Sequence, residues 1–239
     1  MVARRAVLSA DESAKPEIFY PETDGMPLAD GFYQLDYFVD IISVLKLFFK
    51  DNPRVAVSGD SFIYFVEGDP FRWIAPDCYV ALDISMDSIE RFNTYRVWEV
   101  GKIPDFVLEI GSPSTARNDL GEKRDLYAQL GFGEYWLFDP SGGEHYGEPL
   151  IGQYLEDGAY RRFDMRSETD GTVWARSPVL NLDLRWEDGR LRFYDPETGR
   201  WLRNMEETDA RAEAAEARAK DAEAKMAEMA AELRRMRGE

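Results

Sequence analysis

Three ionisable residues are candidates for a catalytic site because of where they lie on predicted strands and a predicted helix. They are Asp77, Glu109 and Lys123. Asp77 follows Ala75-Pro76 and precedes an apolar run that predicts a strand, and Glu109 lies inside a second predicted strand, Phe106 to Ile110. A carboxylate inside a strand is unfavourable unless it is paired or bound to a cation. Lys123 shares the 3-4-3 spacing of Leu120, Tyr127 and Leu130, which predicts that it points toward the sheet.

Two carboxylates on adjacent strands suit Mg²⁺ or Mn²⁺, because these ions prefer oxygen ligands and keep several water molecules. A neighbouring ammonium can orient a water molecule and offset the charge that builds up on a phosphate in the transition state. The three residues therefore predict a metal-dependent site for phosphodiester hydrolysis, with Asp77 and Glu109 as metal ligands and all three as catalytic residues.

Two further acids are weaker candidates for the same site. Asp105 falls on the same strand face as Glu109, but four positions separate them by about 13 Å, too far to share one ion without a bend. Asp105 is expected near the mouth of the strand instead. Asp60 begins the predicted strand Phe62 to Phe65 and is a candidate for a neighbouring strand position.

The charge of the chain restricts how it meets nucleic acid. The net charge is −17, whereas proteins that coat duplex DNA present a basic surface. Either a local basic strip handles phosphate beside a carboxylate-rich metal site, or nucleic acid is not the ligand. One cysteine excludes an internal disulfide framework, and no run reaches 18 apolar residues, so we expect a cytoplasmic protein with no membrane span.

The pattern along the chain predicts an α/β fold: a mixed sheet flanked by helices, with appended β-hairpins. Residues 1–30 are interpreted as an irregular lead-in and residues 31–203 as the folded domain. Helices are predicted over 34–50 and 119–130, with Asn118 or Asp119 as the cap of the second helix. Strands are predicted within 55–66, 74–84, 103–110 and 134–138, and Asp-Gly pairs at 157–158 and 188–189 predict hairpins appended to the core sheet.

Residues 204–239 form a separate, charged tail that predicts a coiled-coil helix. An unbroken 3-4 spacing joins the ten positions of a heptad seam, namely Met205, Thr208, Ala212, Ala215, Ala219, Ala222, Met226, Met229, Leu233 and Met236. The many alanines bury little area per layer, which favours a thin or weak coil used for self-association through residues 205–236. A single solvated helix held by i,i+4 charge pairs is the alternative.

Three segments together resemble the Uma2 family of restriction-endonuclease-like proteins. They are Pro104 to Thr115 (PDFVLEIGSPST), Asp119 to Tyr127 (DLGEKRDLY) and Gly133 to Pro140 (GEYWLFDP), in this order and after Ala75-Pro76-Asp77. The resemblance extends over roughly residues 20–200.

The resemblance implies a PD-(D/E)XK nuclease core, with Asp77 as the aspartate of the second core strand and Glu109 as the acid of the third. In such cores the lysine usually lies two residues after that glutamate, where this chain has Gly111. The family pattern places the lysine on the helix instead, as Lys123. The resemblance supports a nuclease-like protein better than it supports any one substrate.

Other hydrolytic chemistries fit poorly. A serine nucleophile at Ser112 or Ser114 needs a base, and the one histidine, His145, lies in a Gly-rich loop. One cysteine and one histidine make no zinc site, and there is no Walker or Rossmann phosphate loop. Two hypotheses follow: a Mg²⁺-dependent endonuclease acting on DNA, with RNA left open, or a catalytically silent scaffold whose tail recruits a protein partner.

Overall fold

The computed structural model describes residues 18–22 and 32–237 of the 239-residue chain. Most of the predicted irregular lead-in therefore lies outside the described residues. The helices are α1 (Phe32–Phe49), α2 (Asp87–Glu90), α3 (Val97–Val100), α4 (Ala116–Leu120), α5 (Glu122–Leu130) and α6 (Met205–Arg237). The strands are β1 (Val55–Ser58), β2 (Ile63–Tyr64), β3 (Trp73–Ile74), β4 (Cys78–Leu82), β5 (Tyr95–Arg96), β6 (Phe106–Ile110), β7 (Glu134–Phe138), β8 (Leu150–Glu156), β9 (Ala159–Arg162), β10 (Arg166–Ser167), β11 (Val173–Ser177), β12 (Leu182–Glu187), β13 (Arg190–Asp195) and β14 (Arg200–Trp201).

A six-stranded mixed sheet forms the centre of the domain, in the order β1-β4-β6-β7-β8-β9. Only β6 and β7 are parallel, because the chain between them crosses one face of the sheet as α4 and α5, and a parallel pair needs such a crossover. The other pairs in this sheet are antiparallel. The predicted fold class, a mixed sheet flanked by helices with appended hairpins, is confirmed.

Both faces of the central sheet are covered at its middle, so β6 and β7 are buried along their whole length and β4 along nearly all of it. Phe106, Leu108 and Ile110 of β6 pack on the α1 side of the sheet. Val107, between them, belongs to the opposite cluster together with Tyr127 of α5. Since side chains alternate along a strand, Glu109 lies on the same face as Val107, beneath α5.

The appended strands differ in part from the prediction. The Asp157-Gly158 hairpin joins β8 to β9 at the edge of the central sheet, as predicted. The Asp188-Gly189 hairpin instead joins β12 to β13 in a separate five-stranded antiparallel sheet, β10-β11-β12-β13-β14, so its assignment to the core sheet was wrong. Both turn residues of each pair have positive φ, the conformation that tight hairpin turns require. A small third sheet, β3-β2-β5, is not hydrogen-bonded to the other two and packs against the central sheet, where Tyr95 contacts Tyr79.

The predicted helix over 119–130 is two helices rather than one. Gly121, with φ −120° and ψ −102°, separates α4 from α5. Asp119 therefore lies inside α4, and no side-chain cap bond is formed at the start of either helix. The shared face inferred through this break holds for Lys123 and Tyr127 but not for Leu120, which is 42% exposed.

The long C-terminal helix is present as α6, which has 33 residues. Its use as a coiled coil and the three-part division of the chain stay predictions. Among the residues that the structure describes, none of the helices combines the length and the apolar character that crossing a bilayer demands.

Candidate active site

Asp77 and Glu109 lie opposite each other on neighbouring strands. The antiparallel register pairs Cys78 with Leu108, and one step further sets Asp77 across from Glu109. The backbone N–H of Asp77 lies 3.4 Å from Glu109 Oε2, and the N–H of Ile110 donates to Asp77 Oδ2 at 2.6 Å. Glu109 is almost fully buried, whereas Asp77 keeps partial access to solvent.

Lys123 reaches this pair from α5. Its Nζ lies 2.7 Å from Glu109 Oε2, and its side chain is 17% exposed. The same Nζ lies 3.6 Å from Asp119 Oδ1. The ammonium thus lies between the Glu109 carboxylate of β6 and the Asp119 carboxylate of α4. Lys123 points toward the sheet, as its spacing predicts, and its catalytic role stays a prediction.

Asp119 belongs to this cluster, and the sequence reasoning missed it by reading it as a helix cap. Its side chain is buried, and its Oδ2 accepts a 2.8 Å hydrogen bond from the Tyr146 hydroxyl. Its Oδ1 finds no hydrogen-bond partner among the described residues. The i,i+4 spacing from Asp119 to Lys123 was the available signal, because such residues lie on one helix face.

Tyr127, one turn after Lys123, fixes the other oxygen of the strand glutamate. Its hydroxyl donates to Glu109 Oε1 at 2.6 Å, so both oxygens of Glu109 are held by α5. Burial raises the pKa of Tyr127, and the charge of Glu109 raises it further. The tyrosine therefore remains a protonated donor to the carboxylate.

The electrostatics of the cluster show an excess of negative charge. Burial raises the pKa of Glu109, Lys123 partly opposes this rise, and the charges of Asp77 and Asp119 add to it. Together they bring the pKa of Glu109 to about 8. Burial likewise raises the pKa of Asp77 despite the nearby Lys123. Burial lowers the pKa of Lys123, but the surrounding carboxylates outweigh that effect and leave it above its ordinary value. The lysine stays charged, and Glu109 and Asp77 hold their protons more readily than free carboxyls do.

Comparison with known families places the chain. The profile of the Uma2 family, described as "Putative restriction endonuclease", matches residues 24–201. The chain belongs to the Uma2 family.

Among solved structures, the chain is similar to a protein from Anabaena variabilis titled as a "putative nuclease belonging to DUF820". The two are 19% identical with a TM-score of 0.44, and the match covers 64% of this chain and 76% of the other. A comparison with curated proteins gave no match.

The structure gives a reason for the glycine at position 111, where restriction-endonuclease-like cores usually carry the lysine. Gly111 lies two residues after Glu109, and a Cβ there would be 3.0 Å from Cε2 of Tyr146. The Tyr146 ring occupies the space that a side chain at position 111 would need, while its hydroxyl binds Asp119. A lysine on α5 can reach Glu109 without displacing that ring.

The two weaker candidates are placed differently. Asp105 lies before β6, where it accepts hydrogen bonds from Lys102 Nζ at 2.7 Å and from the Leu82 N–H at 2.7 Å, so it is engaged away from Glu109. The β1–β4 register, carried past Ser58, sets Asp60 opposite Asp77, and the Asp60 N–H donates to the Pro76 carbonyl. Their roles as site residues stay predictions.

Gly59 permits the close approach of this loop to Asp77. A Cβ at Gly59 would lie 1.9 Å from the Asp77 carbonyl oxygen, a distance that no side chain can adopt without moving the backbone. The end of β1 is therefore held against the site by a residue that must be glycine.

The residues present fit a small divalent cation in their chemistry. The donors are carboxylate oxygens, and one of them, Asp119 Oδ1, is buried without a hydrogen bond. Within residues 18–22 and 32–237, no group of three or more His, Cys, Asp or Glu side chains has an arrangement that could hold a metal ion. Mg²⁺ needs fewer protein ligands, since one or two carboxylates with waters and substrate phosphates complete its shell.

Proposed function

We propose that this protein is a metal-dependent endonuclease that hydrolyses phosphodiester bonds of DNA. Membership of the Uma2 family supports a nuclease in general terms. Mg²⁺ or Mn²⁺ would be held by Asp77 and Glu109, and Lys123 would act on the water or the phosphate. The proposal rests on residues of this chain that converge on one face of the central sheet.

The observation that carries the proposal is the convergence of three acids, Asp77, Glu109 and Asp119, on one ammonium, Lys123. With all three acids ionised, the cluster would carry a charge of about −2, which is unfavourable when buried unless protons or a cation balance it. The raised pKa values of Glu109 and Asp77 agree with this, because these acids hold protons more readily than free carboxyls. A divalent cation bound between the strand carboxylates would replace those protons and balance the charge.

Each side chain then has a distinct task. A bound Mg²⁺ would supply a Lewis acid for the phosphate and lower the pKa of a bound water. Lys123 is charged and only 17% exposed, so it can contact a phosphate oxygen or orient the attacking water in a low-dielectric setting. Asp119 and Tyr127 are positioning residues, because they hold Lys123 and Glu109 in place.

The acidic surface of the protein is consistent with a cation at the point of contact. A chain of net charge −17 repels nucleic acid over most of its area. A divalent cation at Asp77 and Glu109 would neutralise the surface where the phosphate has to approach.

Cleavage of supercoiled plasmid DNA and of single-stranded DNA tests the proposal. We expect products that appear with Mg²⁺ or Mn²⁺, disappear with a chelator, and fall by about 10²–10³-fold in Glu109→Gln. Asp105→Asn is the matched control, because Asp105 is an acid near the same strand that pairs with Lys102 instead, and it should cleave like the wild type.

Two outcomes would overturn the assignment. One is equal cleavage by the wild type and Glu109→Gln. The other is an absence of cleavage of any DNA form with either metal, together with no binding of Mg²⁺, which would favour the silent scaffold. Cleavage of RNA but not DNA would reject the substrate and keep the site.

A further inference from the structure

Helix α6 is attached to the domain only at its start. Asn204, just before the helix, lies 3.4 Å from Asp40 of α1 through its Nδ2, and Glu207 pairs with Arg192 of β13 at 3.2 Å. From Asp209 to Arg237, every side chain that the structure describes is exposed. The helix therefore projects roughly 40 Å from the domain at 1.5 Å per residue.

An apolar row runs along the far half of this projecting helix. Met226, Met229, Leu233 and Met236 are 60%, 61%, 50% and 74% exposed. They occupy successive a and d positions of the heptad seam, and alanines occupy the four a and d positions that precede them. A row of large apolar side chains at this spacing is typical of a helix that packs against another helix.

We propose that a second copy of this chain covers the seam, as a parallel, in-register, two-stranded coiled coil. The charges that flank the seam select this arrangement. In a parallel pair, each g residue faces the e residue five positions later in the partner copy, and opposite charges at these positions set the orientation.

The flanking pairs of the parallel arrangement are complementary. Arg211 faces position 216, Arg218 faces position 223, and Glu232 faces position 237 of the other copy. The facing residues are glutamate, glutamate and arginine, so each pair is opposite in charge. Lys225 faces an alanine. Symmetry doubles the set to six attractive pairs, and none is repulsive.

The antiparallel arrangement brings like charges together. The seam can also align head to tail, with Met229 of one copy over Ala212 of the other, but g then faces g and e faces e. Arg218 would face Lys225, and Glu216 would face Glu223, each pair occurring twice. Only Arg211 and Glu232 would be complementary. Like charges at facing positions are unfavourable, so the parallel pair is favoured.

The parallel arrangement has a consequence for the whole molecule. Because each α6 starts at its own domain, two parallel helices place both domains at the same end of the coil. This inference does not depend on the proposed nuclease activity, since it concerns only α6 and its charges.

Disulfide trapping in the full chain tests the orientation. In a parallel pair, residue 229 of one copy faces residue 229 of the other, so Met229→Cys should form a covalent dimer under mild oxidation. Ala224→Cys is the matched control, because position 224 lies on the side of the helix away from the seam and should not cross-link above background. The native Cys78 is buried and stays out of the reaction.

Mixing two variants gives the opposite test. If Met229→Cys cross-links preferentially to Ala212→Cys chains rather than to itself, the coil is antiparallel and the proposal fails. Equal cross-linking of Met229→Cys and Ala224→Cys would show random collision, and the proposal would fail as well.

Charge reversal tests the pairing independently by sedimentation equilibrium. Arg218→Glu turns two attractive pairs into two repulsive ones and should weaken the dimer by about tenfold. Adding Glu223→Arg restores opposite charges and should recover the affinity. Residues 218 and 223 lie five positions apart and do not face each other within one helix, so a recovery reports contact between copies. Weakening without recovery, or no weakening, would overturn the pairing.

Discussion

Two buried glutamates on neighbouring parallel strands, Glu109 of β6 and Glu134 of β7, are held in opposite ways. They are 1% and 2% exposed. Glu134 accepts hydrogen bonds from the Ser177 hydroxyl, the Val179 N–H and the Trp136 indole, all neutral donors. Glu109 instead lies against the Lys123 ammonium, the Tyr127 hydroxyl and the backbone N–H of Asp77.

The difference shows why burial alone does not identify a functional acid. Two of the three donors of Glu134 come from β11 and the turn after it, so this carboxylate joins the five-stranded sheet to the central sheet. Its neutral donors satisfy both of its oxygens. Glu109 instead lies close to other acids and to one cation, and burial among them raises its pKa. The kind of partner, rather than the depth of burial, therefore distinguishes an acid with a structural role from an acid that is a candidate for catalysis.

The largest expected effect comes from removing Lys123, the cation beside Glu109. Lys123→Met leaves Glu109 and Asp119 buried without their partner and should lower the free energy of unfolding by about 3–5 kcal/mol. Lys102→Met is the matched control, because the Lys102–Asp105 pair is about a third exposed and should cost at most about 1 kcal/mol. Urea denaturation without metal measures both variants, and similar losses would contradict the account.

Tyr127→Phe should weaken the positioning of Glu109. It removes the hydrogen bond to Glu109 Oε1 without changing the size of the ring. Loss of such a supporting partner typically lowers metal affinity or activity by about 10–100-fold. Calorimetric titration with Mg²⁺ and plasmid cleavage should show the decrease together, and an unchanged metal affinity would remove Tyr127 from the site.

Ser177→Ala removes a neutral donor to Glu134 and should lower stability without changing cleavage. It leaves one oxygen of the buried Glu134 with fewer donors, which costs about 1–2 kcal/mol. Cleavage at a temperature where the variant is folded should match the wild type. If Ser177→Ala reduced cleavage as strongly as Glu109→Gln, the distinction between the two glutamates would be wrong.

The smallest effect is a pH dependence at Asp139, another acid held by neutral donors. Burial would raise the pKa of Asp139, but hydrogen bonds from Ser141, Tyr146 and His145 outweigh it and leave the pKa below its ordinary value. The folded state thus binds this proton less readily than the unfolded state. The stabilisation is present above the unfolded pKa near 3.8 and is lost as the pH falls through the folded pKa.

The comparison of wild type with Asp139→Asn isolates this contribution. The difference in unfolding free energy should be constant at neutral pH and should shrink below pH of about 4. A difference that does not depend on pH would show that the hydrogen bonds do not favour the ionised form.

The succession of the core elements along the chain and the candidate acids could be predicted from local patterns. Apolar runs marked β4 and β6, and an acid within each neighbourhood identified Asp77 and Glu109. The inward direction of Lys123 followed from its spacing to Tyr127. These features depend on periodicity, which a single sequence carries.

The features that were missed depend on contacts between distant segments. Asp119 resembled a helix cap because the break at Gly121 is not visible in the apolar pattern, and its partner Tyr146 lies 27 residues away. The separate five-stranded sheet was missed for a similar reason. An Asp-Gly hairpin fixes its own turn, whereas the sheet that it joins depends on Glu134 and on packing against α1.

Calorimetric titration of the metal-free protein with Mg²⁺ measures whether the acidic cluster binds a divalent cation, and it needs no substrate. We expect binding that is retained in Asp105→Asn and lost in Glu109→Gln, with both variants folded by circular dichroism. Equal binding of Mg²⁺ by the wild type and Glu109→Gln would contradict this expectation.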